Sequence, residues 1–165
     1  LESISEVLNP DTYMVLSVDE KSECNEAVAA SIGTEFEGAD ILLLKAGVYL
    51  VFDALYFLRY ALHATENRGA VGSMSNKAEN EQKAKVKFST PEEYIKYGER
   101  VNVPVENACI ERENLSDFCM LIRRDVWEKV GGINENIDSL ALSLKISGAG
   151  YALGIVKNSF VYRID

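Results

Sequence analysis

The chain of 165 residues has one histidine, three cysteines, three prolines and one tryptophan. A single histidine, His63, excludes a metal site built on several imidazoles. The cysteines, Cys24, Cys109 and Cys119, are odd in number and lack paired metal-ligand spacing. They read as reduced core or half-buried thiols of a cytoplasmic protein. Basic residues are also short, with 17 Lys and Arg against 26 Asp and Glu, a net charge of −9. That sign repels polyanions, so no nucleic-acid partner is expected, and it disfavours an anionic membrane face. Long apolar runs are missing too. The richest, Ile41 to Leu62, is interrupted by Lys45, Asp53 and Arg59, and a membrane span needs roughly 20 nearly uncharged residues. No basic segment followed by an apolar one opens the chain, so no secretory signal is expected. It starts at Leu1, which suggests a processed chain or a piece of a longer protein.

What remains is 47% hydrophobic, enough for one globular domain spanning 1–165. No internal repeat is present. Leu1, Ile4, Val7 and Leu8 have helical spacing, and Tyr13–Val18 is an apolar run of strand length. Asn25–Phe36 reads as a helix of small residues. Ile41–Leu44 is a continuous apolar run that suits a strand buried on both faces. Val51–His63 returns to helical period through Val51, Ala54, Leu55, Leu58, Ala61 and Leu62. Gly69–Met74 reads as a strand, and the polar stretch Asn76–Lys87 as a surface loop. Thr90-Pro91-Glu92-Glu93 carries a cap residue, a first-position proline and a glutamate three residues after the cap, so a helix starts there. Phe118–Arg123 is strand-like, Arg124–Val130 a short helix closed by Gly131-Gly132, Ser139–Ser147 a last helix and Ala152–Tyr162 a final strand or two. Alternating strands and helices predict a layered α/β fold with a mainly parallel sheet. Ligands on such sheets sit beyond the carboxyl ends of strands, which marks the positions after Leu44, Met74 and Arg123.

Three stretches resemble the family 2 glycosyltransferases, enzymes of glycosyltransferase A-type fold that use nucleotide-sugar donors. The first runs from Asn25-Glu26-Ala27 through Gly38-Ala39-Asp40 to Ile41–Leu44, and the second is Gly69-Ala70-Val71-Gly72-Ser73-Met74-Ser75-Asn76. The third, Phe118 to Glu135, contains Trp127-Glu128-Lys129-Val130-Gly131-Gly132-Ile133-Asn134-Glu135 and is the most specific. The resemblance extends from about Thr12 through Gly150-Tyr151 to Val161-Tyr162. It implies transfer of a sugar from a nucleotide-sugar donor to a hydroxyl of a sugar or protein acceptor.

The same resemblance implies a degenerate site. Neutralising a leaving diphosphate calls for a divalent metal held by carboxylates. The position of the family's metal step falls on Lys45-Ala46-Gly47, which offers none, so no metal or other cofactor is expected. Mg²⁺ or Mn²⁺ would belong only if that alignment failed. Lys45, Ala46, Gly47 and Arg124 are the donor-side candidates, and Asn76 and Asn80 the acceptor- or sugar-side ones. The family's general base falls on Ser139, a poor proton acceptor, with Asp138 beside it as the candidate catalytic carboxylate or as a helix N-cap. If Leu1–Leu8 follows the family's opening strand, that strand precedes this chain. The leading expectation is an inactive or very weak transferase domain. Alternatives are an active metal-independent enzyme using Lys45 or Arg124, and a non-catalytic self-association module, either as a homodimer or beside other domains. Arg123 or Arg124 also suits an ion pair with Asp125 or Glu128. Trp127 suits the core, and so do Phe52, Tyr56, Phe57 and Tyr60.

Overall fold

The computed structural model describes residues 38–132 and 139–164. The expected helices over Leu1–Leu8 and Asn25–Phe36 and the strand over Tyr13–Val18 lie outside the described residues. In chain order the elements are β1 (Ile41–Leu44), β2 (Val48–Tyr49), α1 (Ala54–His63), β3 (Arg68–Ser75), α2 (Pro91–Val101), β4 (Cys109–Arg112), β5 (Cys119–Ile122), α3 (Arg124–Lys129), α4 (Ser139–Gly148) and β6 (Ala152–Arg163). Most expected elements form within a few residues of their predicted ends. The two-residue β2 and the short β4 were not legible, because neither carries a run long enough to show a period.

The strands order as β1-β5-β3-β6-β2, with β4 also beside β6. Only β3 and β6 pair in parallel, and the other four pairings are antiparallel. The expected mainly parallel sheet is therefore corrected, for the described strands, to a mixed sheet of mostly antiparallel pairs. The reason is topological. β5 returns between β1 and β3, which both run against it, so β1, β3 and β6 share one direction and β5 opposes them.

Side chains divide between the two faces with period two. Leu42, Leu44, Val71, Cys119, Leu121 and Val156 face α1, whose Ala54, Phe57, Leu58, Ala61 and Leu62 complete that layer. Ile41, Leu43, Ala70, Met120, Ile122, Leu153 and Ile155 face the other way, against Val126 and Trp127 of α3 and Leu142 and Ile146 of α4. Fully burying one such aliphatic or aromatic side chain stabilises by about 1.5–3 kcal/mol. β1 is half-buried along its length rather than buried on both faces.

β6 changes partners midway. Ser73 pairs with Val156 but Met74 pairs with Phe160, so residues 157–159 form an irregularity. Before it β6 pairs with β4, and after it with β2. The displaced polar groups are satisfied. The Asn158 amide donates to the Val103 carbonyl at 2.8 Å, and the Ser159 hydroxyl to the Ala54 carbonyl at 2.8 Å.

The stretch expected as a surface loop after β3 instead folds back onto the sheet. Asn76, Ala78, Gln82 and Ala84 are buried in it. Gly72 makes this fit possible, since a Cβ there would lie 2.6 Å from Gln82 Nε2. The Gln82 amide donates to the Ser73 carbonyl at 2.9 Å, and its oxygen accepts from the Ser116 amide at 2.7 Å.

Candidate functional site

The shared direction of β1, β3 and β6 brings their carboxyl ends to one end of the sheet, where the amino end of β5 also lies. β1 leaves through the turn Lys45-Ala46-Gly47. The Val48 amide donates to the Lys45 carbonyl at 3.2 Å, and Gly47 takes φ +80°, a conformation that glycine adopts without steric cost. Two further bonds pin the turn to its neighbours. The Lys45 amide donates to the Phe118 carbonyl at 3.0 Å, and the Ile164 amide to the Gly47 carbonyl at 2.8 Å.

Charged groups gather around this turn. The Lys45 ammonium meets the Asp117 carboxylate at 2.9 Å. Arg163 lies over the Phe118 ring, 5.4 Å from its centroid, and donates to the Lys77 carbonyl at 2.6 Å. Asn76 holds Arg163 through its backbone, accepting from its amide at 2.7 Å and donating to its carbonyl at 3.0 Å. Among the described residues, Lys45 and Arg163 bring two basic side chains to this turn beside Asp117. Such an arrangement offers charge-assisted hydrogen bonds to an anion.

A divalent metal fits poorly here. Magnesium and calcium need several hard oxygen ligands, whereas among the described residues Asp117 is the acid placed at this turn, and its carboxylate is engaged by Lys45. Among the described residues no group of three His, Cys, Asp or Glu side chains is placed to hold a metal ion.

The other sequence candidates are placed elsewhere. Asn80 exchanges hydrogen bonds with Gln82 at 3.0 Å. It lines a cavity of about 630 Å³ with Glu81, Arg112, Glu113, Asn114 and Ser147, over the apolar side chains of Leu153 and Ile155. Arg112 closes one side of that cavity by an ion pair with Glu81. Arg124 is not at the Lys45 end, which corrects the expectation that it flanks a common cleft. β5 runs against β1, so its carboxyl end meets the start of β3, where the Arg123 amide donates to the Gly69 carbonyl at 3.0 Å. There Arg123 pairs with Asp125 at 2.8 Å and Arg124 with Glu128 at 2.6 Å, so both guanidiniums form the kind of ion pair expected of one of them. Asp138 lies outside the described residues, and Ser139 is the first residue of α4.

Sequence reasoning missed Asp117 and Arg163. Asp117 lies between the strand segments and Arg163 beyond the final Val161-Tyr162, and neither carries a local signal. Only the pairing of β6 with β3 and β2 brings Arg163 to the Lys45 turn. Trp127 is buried as expected. Of the four aromatics expected in the core, Phe57 of α1 alone is buried, while Phe52, before the helix, and Tyr56 and Tyr60 on it are exposed, which corrects that expectation. No family model matches the chain, and no curated protein does.

Proposed function

We propose that the chain is a degenerate glycosyltransferase-like domain that holds the diphosphate of a nucleotide-sugar at the Lys45 end of its sheet, without a metal and without turnover. One observation carries this reading. The Lys45-Ala46-Gly47 turn and Arg163 converge at the carboxyl ends of three strands that run the same way. That is where open α/β sheets take ligands. Lysine and arginine supply the positive charge that the diphosphate requires, and the exposed Lys45 turn gives it access. Asn76 acts here as a positioning residue, since its amide fixes the backbone of Arg163. Arg124 takes no part, being bound to Glu128 at the opposite end. The resemblance to the family 2 enzymes names the ligand as a nucleoside diphosphate sugar, and the acceptor as a sugar or protein hydroxyl.

Isothermal titration with UDP and UDP-sugars, with and without Mn²⁺, tests the proposal. The expected result is binding that does not respond to the metal and produces no free sugar. In Lys45→Ala it weakens about tenfold or more, the worth of one charge-assisted hydrogen bond of roughly 1.5–3 kcal/mol. Mn²⁺-dependent binding with release of sugar would overturn the degenerate reading, and no heat in any condition would overturn the donor site itself.

A further inference from the structure

The Lys45 end of the sheet carries an anion of its own. The Lys45 ammonium, the group assigned above to the diphosphate, already meets the Asp117 carboxylate at 2.9 Å. Strand pairing brings the two residues together. β1 and β5 end their ladder at Leu44 and Cys119, the Lys45 amide then donates to the Phe118 carbonyl at 3.0 Å, and Asp117 is the next residue outward. Both side chains therefore reach the same end of the sheet before any ligand arrives.

The partners differ in burial. The Lys45 side chain is 49% exposed and that of Asp117 only 18%. Lysine is a point charge on a flexible four-carbon stem, so Lys45 can turn towards an anion coming from solvent. Asp117 is held against the protein by β5, which starts two residues later. Among the described residues Lys45 is the cation that meets its carboxylate.

Two effects then oppose an incoming diphosphate. A carboxylate largely withdrawn from water loses its compensating charge when its cation turns away. The same carboxylate also repels a second anion placed on that ammonium, at a separation of a few ångströms where Coulomb energies are large. Arg163 is free of this conflict, because its guanidinium engages the Phe118 ring and the Lys77 carbonyl, neither of them an anion.

We propose, resting on the reading of the Lys45 end as a diphosphate site, that Asp117 is an internal competitor of the ligand. Its carboxylate occupies Lys45 in the empty site and is exchanged for a diphosphate oxygen on binding. One ion pair to Lys45 breaks as another forms, so Asp117 sets the affinity of the site without touching the ligand.

Isothermal titration of UDP and of inorganic pyrophosphate into the full chain, Asp117→Asn, Lys45→Ala and the double variant is the test. Asparagine keeps the shape and an acceptor oxygen for Lys45 while removing the charge. Circular dichroism melts verify folding, and Asp117→Ser takes the place of Asp117→Asn if that variant does not fold. The expected result is that both ligands bind about threefold to tenfold more tightly in Asp117→Asn, and that the gain largely disappears when Lys45 is alanine. A gain in affinity is a readout that damage to the fold does not produce. Weaker binding in Asp117→Asn would overturn the proposal, because Asp117 would then hold the ligand. So would unchanged binding, or a gain of equal size in the Lys45→Ala background, and in each of these cases the diphosphate site itself would stand. No heat from either ligand in the parent chain and in Asp117→Asn would overturn the diphosphate site, and the competition with it.

Discussion

At the scale of single residues, side-chain amides hold together what the strands leave open. Gln82 is fully buried and satisfies the Ser73 carbonyl and the Ser116 amide, one on β3 and one on the segment before β5. Replacing it with leucine keeps the volume but strands the buried Ser73 carbonyl and the half-buried Ser116 amide. Each such loss costs about 1–3 kcal/mol, so Gln82→Leu should lower the urea midpoint markedly while Asn80→Ala, at the loop's half-buried rim, should lower it less. A midpoint unchanged in Gln82→Leu would mean that water replaces the amide at both partners. None of this was legible in the residues themselves. A glutamine in a polar stretch reads as solvated, and only the absence of a side chain at Gly72, 72 residues into the chain and far from any turn, admits it to the sheet face. Asn76 was expected on the acceptor or sugar side, and what it contacts, the backbone of Arg163, lies 87 positions away.

At the scale of elements, local chemistry was read well. Thr90 caps α2 by accepting from the Glu93 amide at 3.4 Å, while the Glu93 carboxylate accepts from the Thr90 amide at 3.2 Å. Pro91 occupies the first turn, where its missing N–H is not needed. Thr90→Ala should cost about 1 kcal/mol, measured as a fall in unfolding free energy from urea titration. Thr90→Ser should restore most of it, whereas an equal loss in both would point to packing of the threonine methyl instead. The far end of α2 follows a different logic. Asn102 donates to the carbonyls of Phe52 and Phe160 and accepts from the Phe160 amide at 2.6 Å. These bonds fasten the helix to the turn before α1 and to β6. The start of the helix is thus written in four consecutive residues, and its end depends on two segments about 50 positions away on either side.

At the scale of the whole molecule, two thiols limit its tolerance of alkali. Burial pushes the Cys119 thiol from its ordinary 9.0 up to about 12, with the Ser73 hydroxyl opposing in part. Burial also raises Cys109, opposed by Arg68. Below about pH 9 both thiols are protonated in folded and unfolded chains and add no pH dependence. Above it the unfolded chain releases the Cys119 proton while the folded chain keeps it, so stability falls as pH rises towards 12, and the raised Cys109 thiol acts in the same direction. For Cys119 the unfolding constant should grow by up to about tenfold per pH unit in that window. Urea titrations from about pH 8 to 11 check this, and the slope should flatten in Cys119→Ala relative to the parent chain. An identical slope in the two proteins would show that Cys119 ionises freely in the folded state.

The amino-acid sequence by itself determined most of the helices and strands among the described residues, β2 and β4 excepted, because those choices rest on side-chain period and cap chemistry acting over a few residues. It also determined the net charge and the lack of carboxylates at Lys45-Ala46-Gly47, which need no structure to be read. Tertiary structure decided the direction of β5, and with it the mostly antiparallel sheet and the separation of Arg124 from Lys45. It decided that Arg163 joins Lys45 and that Phe52, before α1, and Tyr56 and Tyr60 on it face outward. Those outcomes depend on strand pairing across long stretches of chain and on how many helix faces the sheet can cover. Both are properties of the assembled layers, with no trace in local spacing.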